Sequence, residues 1–302
     1  ILTGSLIRLV LGIWADQYGG RRVMAATMVA AAVATWLLTF AHDYPTFLLA
    51  ALGVGIAGGA FSVGIAYVSK WFPKERQGTA LGIFGAGNVG AAVTKFLAPM
   101  VMVAFGWTAV AQVWALGLLV AAVAFLLGTK EDPDLANRRA LGAKPEPFSA
   151  MLAPLANLRV WRFSLYYFFV FGGFVALALW LPRYYVGVYG LDIVTAGLLG
   201  AAYSIPGSVF RVLGGTLSDR HGARKVMYWT FIGSVACTFP LSYPATRYVV
   251  SGIRGPIEFT VAIGFVPFML LTMALGFFMS LGKAAVYKHI PVYYPGRVGS
   301  VG

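Results

Sequence analysis

The chain has 302 residues, of which 59% are hydrophobic and only 11% charged, with a mean hydropathy of +0.79. That balance excludes a water-soluble globular domain, and in so apolar a chain the net charge of +13 bears on membrane topology rather than on nucleic-acid binding. The single cysteine, Cys237, sits in an apolar run, so there is no disulfide framework, no Cys/His metal spacing and no cofactor motif.

The pattern predicts an all-α integral membrane protein, with apolar segments that cross a bilayer at about 1.5 Å rise per residue. Residues 1–14 form an incomplete first span; Ile1 lies inside an apolar segment with no initiator methionine, so the chain reads as a fragment. Residues 22–41 follow and stop at the turn His42-Asp43-Tyr44-Pro45. Residues 46–68 carry Gly53, Gly55, Gly58, Gly59 and Gly64, the small residues that let membrane helices approach closely. Residues 79–104 hold Asn88 among Gly82, Gly85, Gly87 and Gly90, Gly106-Trp107 makes a tight exit, and 108–128 complete a first half, 1–128. The polar, proline-containing stretch 129–162 reads as an interhalf linker. A second half, 163–302, has spans at 163–185, 193–217, 223–243 and 259–286.

The two halves repeat. Arg8, Gly12, Asp16, Gly19, Arg21 and Arg22 return as Arg211, Gly215, Asp219, Gly222, Arg224 and Lys225 at one offset (211 − 8 = 203). The run from Gly58 to Lys70, Pro73 and Gly78 returns from Gly276 to Lys288, Pro291 and Gly296 (288 − 70 = 218). Nine spans are visible, the first incomplete; if the repeat marks the same span in each half, one precedes residue 1 and two follow residue 302, giving six plus six.

Basic residues orient the chain. Of its 23 lysines and arginines, sixteen fall in one set of alternate loops, including linker residues such as Arg138, Arg139 and Lys144, and only Arg183, Arg247 and Arg254 fall in the other. The first set, with the linker, is expected on the cytoplasmic side of a multi-pass inner-membrane protein. The remaining four, Arg8, Lys95, Arg211 and Lys283, sit inside spans that contain no acid. Intramembrane cations are costly and normally paired, so the missing negative charge points to an anionic substrate. Arg8 and Arg211 each precede their turn aspartate by eight residues (16 − 8 and 219 − 211), about 12 Å at helical rise and near mid-membrane. Lys283 and Lys95 are expected nearer span ends, where a lysine can snorkel.

The turns Gly12-x-x-x-Asp16-x-x-Gly19-x-Arg21-Arg22 and Gly215-x-x-x-Asp219-Arg220-x-Gly222-x-Arg224-Lys225 resemble the loop signature of the major facilitator superfamily. The stretch from Gly58-Gly59-Ala60-Phe61-Ser62 through Trp71-Phe72-Pro73-Lys74-Glu75-Arg76-Gln77-Gly78 to Gly85-Ala86-Gly87-Asn88-Val89-Gly90, with its echo at 276–302, resembles the signatures of the nitrate/nitrite porter family within it. The resemblance implies a major facilitator fold of two pseudo-symmetric six-helix halves. It also implies a substrate site in which Arg8 and Arg211 face each other, Asn88 and Tyr167 hydrogen-bond the anion, and Phe61 and Phe171 wall it. Lys283 departs from the family's second signature, which carries glycine and small polar residues there, and is a candidate for coupling.

Read without the resemblance, Asn88 serves equally as a helix-helix hydrogen bond, and Tyr167, in an aromatic run, as packing. Asp16, Arg21, Arg22, Asp219, Arg224 and Lys225 read as a cytoplasmic gating latch, or the basic ones as topology alone. The expected function is secondary transport of nitrate or nitrite by alternating access, as nitrate/nitrite exchange or as proton-coupled uptake. The partners are these anions, the lipid bilayer and, for symport, protons, with the protein acting as a monomer. The alternatives are a major facilitator carrier of another small anion, such as a phosphate ester or carboxylate, and an anion sensor that does not transport. No nucleophile-base pair, metal spacing or P-loop speaks for an enzyme. His42, His221 and His289 fall at or beyond predicted span ends, so no proton relay is visible.

Overall fold

In lipid every backbone polar group must be satisfied within the chain, which leaves helices as the spanning element for a sequence this apolar. The computed structural model describes residues 2–142 and 146–302, without the side chains of Ala92, Lys95, Phe96, Pro99, Asp134, Ala136, Arg138 and Arg139. Lys144 and the side chains of Lys95, Arg138 and Arg139 therefore lie outside the described residues. Helices α1 (Leu2–Tyr18) and α2 (Gly20–Leu37) lead to α3 (Tyr44–Val54), which passes through a 3₁₀ turn, Gly55–Gly59, into α4 (Ala60–Ser69). Helix α5 (Gln77–Ala86) is joined to α6 (Gly90–Phe105) by a second 3₁₀ turn, Gly87–Val89, and α7 (Trp107–Gly128) follows.

The polar segment carries two short helices, α8 (Pro133–Ala140) and α9 (Phe148–Met151). Helix α10 (Leu158–Tyr167) runs through a π segment, Phe168–Gly173, into α11 (Phe174–Tyr189); α12 (Ile193–His221) and α13 (Ala223–Leu241) come next. Strands β1 (Thr246–Gly252) and β2 (Gly255–Val261) form an antiparallel hairpin before α14 (Phe265–Tyr293) and the short α15 (Val298–Val301).

Six of the described helical stretches, Gly20–Phe40, Tyr44–Ser69, Trp107–Gly128, Leu158–Tyr189, Ile193–His221 and Phe265–Tyr293, are long and apolar enough to cross a membrane. The span expected at 259–286 is displaced. Its first residues belong to β2, and α14 starts at Phe265 and continues to Tyr293. Most of the hairpin falls in the stretch 244–258 between the expected spans, and only 259–261 are taken from the expected helix; its pairing sets Tyr248 on Phe259 with ring centroids 5.3 Å apart and Arg247 in an ion pair with Glu258.

Two loop carboxylates hold helix starts. Asp43 accepts from the Thr46 hydroxyl and backbone N–H, which lowers its pKa. Asp192 accepts from Thr195 and Val194, and its pKa is also lowered, with Thr195 the leading cause.

The repeated turn has a backbone reason. Gly19, between α1 and α2, has φ 98°, and Gly222, between α12 and α13, has φ 87°, a region that side chains other than glycine's occupy only under strain. A Cβ at Gly222 would meet nothing within 4 Å, whereas one at Gly19 would overlap Leu135 of α8. Gly222→Ala is therefore expected to cost only the backbone strain, about 1–3 kcal/mol, and Gly19→Ala more than that. Thermal unfolding in detergent should rank the variants in that order; equal losses would show that Leu135 yields freely.

Candidate functional site

Arg211 is the largest fully buried side chain among the described residues, 1% exposed. It can sit there because α5 presents glycine to α12. The backbones meet at Gly78 and Gly215, a Cβ on Gly82 would stand 2.7 Å from the Arg211 carbonyl oxygen, and one on Gly85 would overlap the guanidinium itself. The guanidinium carbon lies 4.8 Å from the Phe61 ring centre and 5.4 Å from that of Tyr287, desolvated cation-π contacts worth up to about 2 kcal/mol each. Its Nε and Nη1 nonetheless meet no hydrogen-bond partner among the described residues.

Arg8 is half-buried on α1, with Nη2 donating to the Gly58 carbonyl at 3.2 Å and Nε buried without a partner. The Tyr287 phenol lies within electrostatic reach of both arginines. Around it runs a continuous set of rings: Phe61 to Phe84 (5.2 Å) and to Tyr287 (5.4 Å), Tyr287 to Tyr167 (4.7 Å), and Tyr167 stacked on Phe171 (5.0 Å). The Tyr167 hydroxyl is buried beside these rings without a well-formed hydrogen bond. Asn88 is half-buried in the 3₁₀ turn, three residues beyond Gly85, and so on the same side of the helix.

The structure thus gathers Arg8, Arg211, Phe61, Tyr167 and Phe171 into one cluster, with Asn88 a turn away. Phe61, Asn88 and Phe171 all sit at or next to departures from α-helical geometry, the turns Gly55–Gly59 and Gly87–Val89 and the π segment. Such irregular backbone at membrane depth belongs where it lines a site.

Lys283 does not snorkel. Helix α14 continues ten residues past it (293 − 283), about 15 Å, and the side chain is 2% exposed. Its Nζ donates to the Gly207 carbonyl at 3.1 Å and lies 3.1 Å from the Phe174 ring centre.

At the charged-turn end each repeated aspartate caps a helix drawn from the other half of the chain. Asp219 accepts from Gly78 N–H (2.9 Å), Thr79 N–H (2.7 Å) and the Thr79 hydroxyl (2.8 Å) at the start of α5, and pairs with Lys288 at 2.6 Å. Asp16 accepts from Gly299 N–H (2.9 Å) and Ser300 N–H (3.0 Å) of α15. Negative charge at a helix N-terminus is favoured by the dipole and the free N–H groups. The basic turn residues go elsewhere: Arg21 donates to the Leu126 carbonyl, Arg22 pairs with Glu131 at 3.3 Å, and Arg224 and Lys225 are exposed.

Sequence reasoning missed Tyr287, Gly85 and Lys288. Lys288 was marked by its repeat partner Lys70, which pairs with Asp132; the depth of Tyr287 was masked by the misplaced start of α14.

The major facilitator superfamily profile matches residues 1–302, and the chain belongs to that superfamily. A probable nitrate/nitrite antiporter of Thermus thermophilus is 45% identical over 317 residues, covering 100% of this chain and 70% of the relative. A nitrite extrusion protein of Bacillus subtilis is 29% identical, covering 99% and 69%. Among solved structures, the proton:xylose symporter XylE aligns with a TM-score of 0.68 at 13% identity, covering 99% of this chain and 74% of that one. A human organic anion transporter aligns with a TM-score of 0.67 at 15% identity, covering 99% and 70%. The fold is the major facilitator fold, and the protein is a multi-pass membrane protein.

Lys288 holds Asp219 and also donates to the Lys74 carbonyl. Lys288→Met removes both charge-assisted bonds while Asp219 keeps its contacts to α5. Thermal unfolding should show a loss of about 1.5–3 kcal/mol; an unchanged midpoint would mean the ion pair contributes nothing net.

Proposed function

We propose that this chain, a nitrate/nitrite porter of the major facilitator superfamily, moves nitrate and nitrite across the cytoplasmic membrane by alternating access, with the anion held between Arg8 and Arg211. The observation that carries the reading is Arg211, a guanidinium 1% exposed whose Nε and Nη1 have no partner among the described residues. A cation so placed needs a counter-charge. An anion about 4 Å from two guanidinium groups gains roughly 8 kcal/mol at an effective dielectric of 20, before its own desolvation is counted.

Nitrate and nitrite suit this site. They are flat and singly charged, so a planar guanidinium fork meets two oxygens at once. The rings of Phe61, Tyr287 and Phe171 wall the space, the Tyr167 hydroxyl is a neutral donor beside it, and the Asn88 amide, a turn away, is a second. Relatives named as a nitrate/nitrite antiporter and a nitrite extrusion protein support the choice of anion. Both arginines lie on one chain, so a monomer suffices. The charged turns and the polar segment between the halves face the cytoplasm by the bias of their basic residues. Exchange of nitrate for nitrite needs only the arginine site, whereas uptake with a proton needs a titratable group beside it.

Arg8→Lys and Arg211→Lys keep the charge and lose the fork. Each is expected to weaken nitrate binding at least tenfold, about 1.4 kcal/mol, by titration calorimetry on the purified protein. Wild-type affinity in both variants would remove the arginines from the site, and counterflow of a carboxylate or phosphate ester in preference to nitrate in proteoliposomes would reassign the substrate.

The cross-capping carboxylates act as the cytoplasmic latch in this reading. Asp16→Asn or Asp219→Asn is expected to loosen that closure and favour the inward-open state. Cysteines placed in the cytoplasmic half of the cavity should then label faster; equal labelling rates in both variants and the parent would rule the latch out.

A further inference from the structure

We infer that Lys283 is the proton-carrying group of this transporter, taking up a proton as the anion enters beside Arg211 and releasing it as the anion leaves, so that the two cross together. The inference rests on the anion site proposed above and assigns the coupling that site alone does not specify. The chemistry is a reversible protonation: the amine accepts a proton from water on the side where the anion enters and returns it to water on the side where it leaves.

The geometry is that of an amine which can exist in either form. An ammonium carries three N–H donors, and among the described residues one carbonyl, that of Gly207, accepts from it at 3.1 Å. That carbonyl is shared with the Ser280 hydroxyl at 2.7 Å. The remaining surroundings are the faces of Phe174 at 3.1 Å and Phe171 at 6.0 Å from ring centre to Nζ, the latter being the ring on which Tyr167 stacks. Gly207 lies one turn before Arg211 on α12, so the carbonyl that holds the amine is a helical turn from the Arg211 backbone.

The fold does not require an amine here. By the repeat offset the counterpart of Lys283 is Ile65 (283 − 218), a buried hydrocarbon side chain at 1% exposure. One half fills the position with an aliphatic group and the other with a titratable one.

The groups facing Lys283 leave it without a carboxylate among the described residues. Helix α12 presents Arg211 and Tyr203, the latter stacked on Phe174. Tyr167 ends α10, Cys237 of α13 lies in the apolar cluster of Phe174 and Met279, and Tyr287 is one turn along α14. His289 is turned away, stacked on Phe163 with centroids 5.2 Å apart. A second positive charge beside Arg211 is therefore opposed by repulsion and by burial. An anion arriving between the arginines cancels part of that positive charge and so lowers the cost of the ammonium. Linkage then makes the effect mutual, each ligand raising the affinity for the other by the same factor.

The test measures protons moved per nitrate by the intact protein in proteoliposomes, with an internal pH-sensitive dye and labelled nitrate. The wild type is expected to move close to one proton with each nitrate taken up. Lys283→Met, never charged, and Lys283→Arg, always charged, should both lower that ratio at least tenfold, although a merely electrostatic role would move them in opposite directions. A wild-type ratio retained in both variants overturns the inference. So does net nitrate uptake into vesicles that hold no nitrate or nitrite, if it proceeds with no proton movement, which leaves the anion site standing; no nitrate counterflow at all overturns the anion site itself. Should neither variant insert, nitrate titration of the wild-type protein in buffers of different ionisation enthalpy counts the protons bound: about one per nitrate supports the inference, and none overturns it.

Discussion

A guanidinium buried in an apolar helical assembly, without a carboxylate partner among the described residues, is the condition the rest of this structure accommodates. Its cost in low dielectric is high, and two features reduce it. Gly85 leaves room for the planar group against the α5 backbone, and Phe61 and Tyr287 offer ring faces at 4.8 and 5.4 Å; Arg8, a second cation, adds to the cost rather than reducing it. None of these supplies a negative charge. The ten acidic residues of the chain are at helix ends, in loops and, for Glu258, in the hairpin, and the two that cap helices across the halves, Asp16 and Asp219, hold backbone N–H groups two turns away from the arginines.

The repeat is kept where it holds the chain together and broken where it meets the proposed substrate. Gly12 against Gly299 and Gly215 against Gly78 are the same close backbone approach made twice, and Asp16 and Asp219 use it to reach the N-terminus of the opposing helix. Glycine at these positions is what permits a carboxylate one turn away to touch a neighbouring backbone at all. Nearer the middle the halves diverge. Phe61 stacks on Arg211 while its counterpart by the 218 offset is Met279, and the counterpart of Ile65 by the same offset is Lys283. A two-fold site would bind its anion without direction; the divergence gives the two halves different chemistry toward a single ion.

Much of this was legible in the sequence because a long in-register repeat reports geometry directly. Gly19 and Gly222 were marked by the repeat, and both have positive φ. The apolar periods located the helices, since a bilayer leaves the backbone no alternative. What escaped detection has physical reasons as well. The π segment Phe168–Gly173 changes hydrogen-bond register without changing composition. The hairpin sets Tyr248 on Phe259 and Arg247 in an ion pair with Glu258, in a stretch that the hydropathy pattern leaves between spans. The fate of a lysine depends on how far its helix continues, so the shift of α14 by a few residues turned Lys283 from a side chain able to reach the interface into one that cannot.

Two sets of bonds join the halves at different depths, and their competition defines how such a protein moves. At the charged-turn end the bonds are specific and always available: carboxylate to helix N-terminus, lysine to carboxylate, all supplied by the chain itself. At the arginines the halves present like charges to each other and, in the proposed reading, an anion between them offsets that repulsion. With the end closed, the anion adds attraction at the centre and repulsion no longer favours separation there. Opening the end then costs the capping bonds, and the bound anion keeps the halves joined at the pivot while they are broken. An ion that binds at the pivot without favouring one tilt over the other can permit rocking in both directions, which is what exchange requires; a proton bound to one half alone gives that rocking a direction.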